Sequence, residues 1–287
     1  MLDILNNEAN AMKAYESALR MSAANLGNST TVGYKALRYS FQSIFNKVVN
    51  MGSAASSTYG GTNPVQEGSS VALSSTKIDF TQGEIGSGGT MDVAINGSGF
   101  FIISEDEGRN FIYTRNGQFK FNNSGYLVDA GGRKVYGFKV DPSGNTDQSR
   151  LEPIKTDNLS KAGWQYQGVR GILVDDYFSN KNSEGQLSDS KPTFQLALTD
   201  FPNPEALLLA NANGYRETPA SGRPLNPTVS GEEGRGQILS GAVEKSNVSI
   251  IGETVDEAEI QRAMNASLTA MKMVNQQIQN VIQTIGS

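Results

Sequence analysis

Residues 1–27 of the chain read MLDILNNEANAMKAYESALRMSAANLG, a stretch with an apolar side chain at every seventh position: Leu5, Met12, Leu19 and Leu26. This spacing predicts a helix whose apolar seam packs on another helix. Residues 264–285 read MNASLTAMKMVNQQIQNVIQTI, and a second seam of the same spacing runs through Met264, Met271, Val274, Ile278, Val281 and Ile285. Ser267 is the polar member of this second seam.

A single stripe of this kind usually packs on the core of its own domain. Here the same heptad spacing occurs at both ends of the chain, which favours pairing of the two helices with each other or with copies of the same chain. We therefore expect the terminal helices to form a coiled-coil-like core.

The chain between the helices has the composition of a turn-rich β protein. Residues 52–75 are rich in Gly, Ser, Thr and Ala, which predicts an extended or loop-like connector. From residue 91 to 128, short runs of β-formers alternate with Asn-Gly and Ser-Gly turns, the pattern of hairpins. Residues 141–191 are polar and read as a variable β insertion.

These patterns predict an α+β fold in three parts. A discontinuous helical polymerisation core comprises residues 1–45 with 245–287, an extended connector covers 46–80, and a β-rich outer domain covers 81–244. The β-rich domain is thus inserted between the terminal helices.

Composition excludes most enzyme chemistry. The 287 residues include no His and no Cys, which removes His-based triads, thiol nucleophiles, disulfides and the usual zinc sites. The formal net charge of −5 disfavours a nucleic-acid surface, because phosphate binding needs clustered positive charge. Apolar runs are too short for a membrane-spanning helix, and no secretory signal peptide is recognisable, so we expect neither membrane insertion nor a cleavable leader.

No residue set predicts a catalytic, cofactor or metal site. Paired carboxylates could act in glycoside hydrolysis or calcium binding, and three runs were considered: 105–107, 175–176 and 232–233. All three lie in predicted turns, where solvated acids are the usual case. Alternating aromatic residues from Phe111 to Phe138 lack basic neighbours, which favours cross-strand core pairs over a base-stacking platform.

Residues 24–35 read ANLGNSTTVGYK, which resembles the N-terminal signature of bacterial flagellar rod and hook proteins. The signature positions are Ala24, Asn25, Leu26, Asn28, Thr31, Gly33, Tyr34 and Lys35. Further runs in the family's order are residues 80–83, 92–101, 113–117, 125–128, 198–204, 221–224 and 241–248.

The resemblance implies a non-enzymatic structural subunit of the flagellar rod or hook, without a cofactor. Copies would assemble into a hollow helical tube that transmits torque. The expected partners are copies of the chain, neighbouring axial proteins, the flagellar export apparatus and a cap protein. The expected location is the basal body or hook, from the periplasm to the cell exterior. The alternative from another class is a carbohydrate-active or adhesive β protein whose terminal helices only oligomerise.

Overall fold

The computed structural model describes residues 2–54, 60–63, 65–141, 145–156, 164–167, 171–175, 191–211 and 213–285. The chain divides into two compact units. Unit 1 consists of Met1–Gly27, Leu37–Lys77 and Ser249–Ser287, and unit 2 consists of Asn28–Ala36 and Ile78–Val248. Each unit therefore combines segments that are distant in sequence.

Unit 1 contains the two helices that the heptad spacing predicts: α1 at Leu2–Gly27 and α2 at Ile250–Ile285. Both are rich in Ala, Leu, Met, Gln and Glu, which favour helix, and neither contains proline. Helix α2 begins after Ser249, whose Oγ accepts a hydrogen bond from the Gly252 N–H at 3.3 Å, a typical N-cap contact.

Unit 1 also contains a long β-hairpin, formed by β1 at Leu37–Asn50 and β2 at Val65–Ile78. This corrects two boundaries of the sequence analysis. The helical segment expected to reach residue 45 ends at Gly27, and most of the expected connector at 46–80 is paired strand. The reason lies in the sequence LRYSFQSIFNKVVN of β1, where aromatic and β-branched residues favour strand. Residues 55–59 and 64 of the connector lie outside the described residues.

Unit 2 is built from short strands. They are β3 Ile85–Ser87, β4 Val93–Asn96, β5 Phe100–Ser104, β6 Phe111–Thr114, β7 Lys120–Phe121, β8 Leu127–Val128, β9 Lys134–Val140, β10 Thr146–Pro153, β11 Trp164–Gln167, β12 Ile172–Asp175, β13 Lys191–Leu196, β14 Leu198–Thr199, β15 Leu208–Ala210, β16 Gly214–Arg216, β17 Gln237–Ser240 and β18 Ala242–Glu244. A single 3-10 turn occupies Pro204–Ala206.

Among the described residues, twelve of these strands form one sheet, whose main path runs β11-β12-β13-β9-β5-β6-β16-β15. Strands β10 and β8 pair with β9, β14 pairs with β5, and β7 pairs with β8. Two small antiparallel pairs, β17 with β4 and β18 with β3, complete the unit. The expected α+β class, with terminal helices around a β-rich middle, is confirmed.

The core of unit 2 is apolar and continuous. It is formed by inward-facing residues of several strands: Val93, Ile95, Phe101, Ile103, Ile112, Phe119, Leu127, Val135, Ile154, Tyr166, Leu173, Leu196, Leu198 and Ile238. The strands predicted between residues 91 and 128 are present. Phe101 and Phe119 pack edge to face within this core, with ring centroids 5.2 Å apart.

Candidate functional site

The end of α1 is fixed by one signature side chain, Asn25. Its amide nitrogen donates to the Leu37 carbonyl at 2.9 Å, and its amide oxygen accepts from the Leu37 N–H at 2.8 Å. Asn25 is fully buried, and its side chain thereby satisfies both backbone polar groups of the first residue of β1. Within unit 1 this contact joins helix to hairpin.

Gly33 marks a tight backbone approach inside unit 2. Its φ is +70°, and a Cβ added there would lie 2.6 Å from the Asn116 backbone nitrogen. Its N–H donates to the Glu244 carbonyl at 2.7 Å. Only glycine satisfies both the left-handed conformation and the space.

Lys35 is the centre of a buried charge cluster in unit 2. Its Nζ donates to Glu244 Oε1 at 2.6 Å and to the Thr81 carbonyl at 2.7 Å, and neither charged side chain is exposed. The Gly83 N–H also donates to Glu244 Oε1, at 3.0 Å. The Nη1 of Arg115 lies 3.6 Å from Glu244 Oε2.

Burial lowers the pKa of Lys35 from its usual value, while the attraction and hydrogen bond of Glu244 oppose this effect. Burial likewise lowers the pKa of Arg115. A buried charge is tolerated only when it is paired and hydrogen-bonded. The cluster therefore ties together four segments that the sequence analysis identified separately, around Lys35, Thr81, Arg115 and Glu244.

Asn247 makes a second connection between the same segments. Its Oδ1 accepts from the Ala36 N–H at 2.8 Å, and its Nδ2 donates to the carbonyls of Asp79 and Thr81 at 2.8 and 3.0 Å. The signature run and the run at 241–248 are thus held beside each other by side-chain hydrogen bonds to backbone.

In unit 1, α1 and α2 pack antiparallel. Ser22 Oγ donates to Glu253 Oε2 at 3.1 Å, and at the other end of the pair Ser267 Oγ hydrogen-bonds Glu8 Oε2. The two contacts are fourteen residues apart on each helix and run in opposite order. The buried Glu253 carboxylate also accepts from Arg38 Nη1 at 3.2 Å, which joins the helix pair to β1.

The buried side of α1 is a stripe of small or polar residues, which we call the small stripe: Ala11, Ala14, Ala18, Ser22 and Asn25. Small side chains let two helix backbones approach closely. The heptad analysis did not identify this stripe, because it gives weight to large apolar residues.

The predicted seam residues lie beside the buried surface or beyond it. Those that are half-buried are Leu5, Met12, Leu19, Leu26, Met264, Met271, Val274 and Ile278. Val281 and Ile285 are exposed. The polar seam member Ser267 is buried, and its hydrogen bond to Glu8 explains how a hydroxyl is accommodated there.

The carboxylate runs of the sequence analysis lie on the surface where they are described. Residues 105–107 and 232–233 are exposed, and Asp176 lies outside the described residues. In the described part of the chain, no group of three or more carboxylates could hold a metal ion. Nor do the described helices include one with the length and apolar character needed to cross a bilayer.

Comparison with known proteins agrees with the resemblance. Residues 94–162 match the family model described as the flagellar hook protein FlgE/F/G D1 domain. The chain is 30% identical over 285 residues to the flagellar basal-body rod protein FlgG of Bacillus subtilis (strain 168), which covers 98% of both chains. It is 31% identical over 277 residues to FlgG of Buchnera aphidicola subsp. Acyrthosiphon pisum, covering 95% of both.

A hook protein also matches, over a shorter region. Identity to the flagellar hook protein FlgE of Helicobacter pylori (strain J99) is 35% over 161 residues, which is 55% of this chain and 22% of the hook protein. Because the match to a rod protein at 30% identity extends over nearly all of both sequences, the chain belongs to the family of flagellar rod and hook proteins.

Proposed function

We propose that this chain is a structural subunit of the flagellar rod, whose copies assemble into a hollow helical tube that transmits torque. In this proposal the terminal helices form the coiled-coil-like core of the tube, and the β-rich unit forms its outer part. No catalytic residue and no cofactor is assigned.

The observation that carries the proposal is the division of α1 into two apolar surfaces. The helix pair buries the small stripe within one chain, and the larger residues Leu5, Met12, Leu19 and Leu26 stay only half-buried. A folded chain therefore has unused apolar helix surface that contact with another copy would bury. Joining different patches of successive copies gives a heterologous contact, which propagates into a helical polymer.

The lengths of the relatives support a rod position over a hook position. The rod proteins match along nearly their entire length, whereas the match to the hook protein covers 22% of that chain. We infer that neighbouring axial proteins, the export apparatus and a cap protein are the further partners. No observation favours the carbohydrate-active or adhesive alternative.

The test compares three variants in a strain that lacks its own copy of this chain. We expect Leu19→Asp and Ile278→Asp to abolish motility and the assembled rod, because an unpaired charge would have to be desolvated in the seam. Ser17→Asp places the same charge on an exposed position of α1 and should support motility. Basal bodies are scored by electron microscopy, and circular dichroism checks that each purified chain is folded.

Two outcomes would contradict the proposal. Normal motility with Leu19→Asp and Ile278→Asp would mean that these residues do not lie in an intersubunit seam. Intact rods in the strain without this chain would show that the chain is not a rod subunit.

A further inference from the structure

Unit 2 carries an open hollow of about 570 Å³ surrounded by arginine side chains, which we call the arginine trough. Arg109, Arg216 and Arg223 line it, together with Tyr113 and Pro224. All three arginines are exposed, and in the described part of the chain none of their guanidinium groups has an ion-pair or hydrogen-bond partner. The trough therefore has positively charged groups available on a chain with a net charge of −5.

Apolar side chains border the trough. Among the described residues of unit 2, the exposed large hydrophobic residues are Leu208, Leu209 and Leu225. Leu225 follows Pro224 in the chain, and Leu208 and Leu209 line a smaller hollow that shares Arg216 with the trough. These leucines lie 39–60% exposed. Arginine beside apolar and aromatic groups is the composition of a protein interface.

Strand β15, which carries Leu208 and Leu209, ends the main path of the sheet. An edge strand with exposed apolar side chains is a surface that proteins usually cover. The trough and its leucine border thus form one candidate contact surface.

Unit 1 carries a hollow with the complementary chemistry. Tyr15, Tyr39 and Phe41 line this aromatic hollow of about 460 Å³, and Asp256 and Glu259 supply carboxylates. The Phe41 ring packs edge-on against both tyrosines, with centroids 5.6 Å apart in each case. Both carboxylates are exposed and form no ion pair with the described residues.

We propose that the arginine trough of one copy of this chain binds the aromatic hollow of a second copy. Guanidinium groups form charge-assisted hydrogen bonds with carboxylates and stack on aromatic rings, and the hollow presents both groups together. The two surfaces differ, so the contact is heterologous and can propagate along a polymer. This inference rests on the proposed function and assigns the assembly a contact outside the helical seam.

Cross-linking between chains tests the contact directly, since the natural sequence has no cysteine. Arg216→Cys and Asp256→Cys are placed on separate chains and co-expressed in the strain that lacks its own copy. After mild oxidation we expect a disulfide-linked dimer containing one chain of each kind. The matched control replaces Arg216→Cys with Lys139→Cys, an exposed lysine of unit 2 outside the trough, and should give only background dimer.

Charge reversal provides the second test. Arg216→Glu with Arg223→Glu should raise the protein level needed for assembly by about fivefold or more, as expected for the loss of two exposed ion pairs. Adding Asp256→Arg and Glu259→Arg to the same chain should restore assembly, because the charges are then exchanged across the contact. Lys139→Glu should have no effect.

The inference and the proposed function fail in different ways. If Leu19→Asp blocks assembly but the reversed trough assembles normally and the mixed dimer stays at background, the contact proposed here is wrong and the polymer proposal stands. If the unaltered chain does not enter an axial structure, both are wrong. Failure of the exchanged charges to restore assembly would also overturn the pairing of these two surfaces.

Discussion

Gly33 shows how one signature residue is restricted twice, by its φ of +70° and by the Asn116 backbone 2.6 Å from a Cβ position. Gly132 has a similar φ of +79° but no atom within 4 Å of its Cβ position. We expect Gly132→Ala to lower the free energy of unfolding by about 1 kcal/mol through backbone strain alone. Gly33→Ala should lower it by at least about 2 kcal/mol more, because the backbone of Asn116 must move.

Denaturant unfolding of the two glycine variants measures this difference. Equal losses would show that the close approach to Asn116 relaxes without effort and that only the backbone conformation matters.

The buried pair of Lys35 and Glu244 predicts a second effect at the residue scale. Lys35→Met leaves the Glu244 carboxylate buried without its main partner, so we expect a loss of about 3–5 kcal/mol in the free energy of unfolding. Glu244→Gln added to that variant should recover part of the loss, because the unpaired charge is removed. Lys245→Met, which breaks an exposed pair with Glu84, should change stability by about 1 kcal/mol or less.

A double-mutant cycle on Lys35 and Glu244 gives the coupling between them. Strictly additive losses would mean that the two charges do not stabilise each other in the folded chain.

The sequence contains both partners of this pair in recognisable runs but does not reveal that they meet. Lys35 closes the signature and Glu244 lies in the run at 241–248, 209 residues away. A lone lysine or glutamate is most often a solvated surface charge. Only the fold, which brings the β18 strand beside the signature, makes the pairing visible.

At the scale of elements, the small stripe of α1 predicts how the helix pair responds to larger side chains. Ala18 is fully buried on α1, whereas Ala23 of the same helix is exposed. We expect Ala18→Leu to destabilise unit 1 by about 1–3 kcal/mol, because the extra volume separates packed backbones. Ala23→Leu should stay within about 0.5 kcal/mol of the parent.

Hydrogen exchange of the backbone amides in α1 and α2 reports this change. Unaltered protection of both helices in Ala18→Leu would mean that the helices do not pack through the small stripe in solution.

The helices could be predicted from sequence better than the surfaces they use. A seven-residue apolar repeat locates both helices, because large side chains on one face are the strongest helical signal. The hairpin of β1 and β2 was not predicted, since β2 reads VQEGSSVALSSTKI and its small, polar residues resemble a loop. Such a strand is specified by backbone pairing with β1 more than by its side chains.

At the scale of the whole molecule, the long hairpin predicts a property of the polymer. Each strand has 14 residues, which corresponds to a length of about 46 Å. Deleting residues 53–63 removes the end of the hairpin, including the backbone hydrogen bonds between Ser53 and Thr62. We expect the melting temperature of the monomer to change little, because the deleted segment has few large apolar groups to bury.

The effect of this deletion should appear in the assembled polymer as curvature or supercoiling, since a shortened hairpin restrains neighbouring copies less. Electron microscopy of assembled rods measures it. Polymers as straight as those of the parent chain would leave the hairpin as a passive spacer.

The antiparallel pairing of α1 and α2 also imposes an order of events during folding. Glu8 meets Ser267 across 259 residues, and Ser22 meets Glu253 across 231, so unit 1 cannot close until the last part of the chain is available. Unit 2 is complete once residue 248 is present. The entropy of closing so long a loop grows only slowly with length, but contacts of such high sequence separation form late. The architecture thus contains its own delay, during which a nascent α1 has no partner and the chain cannot yet present a finished helical surface.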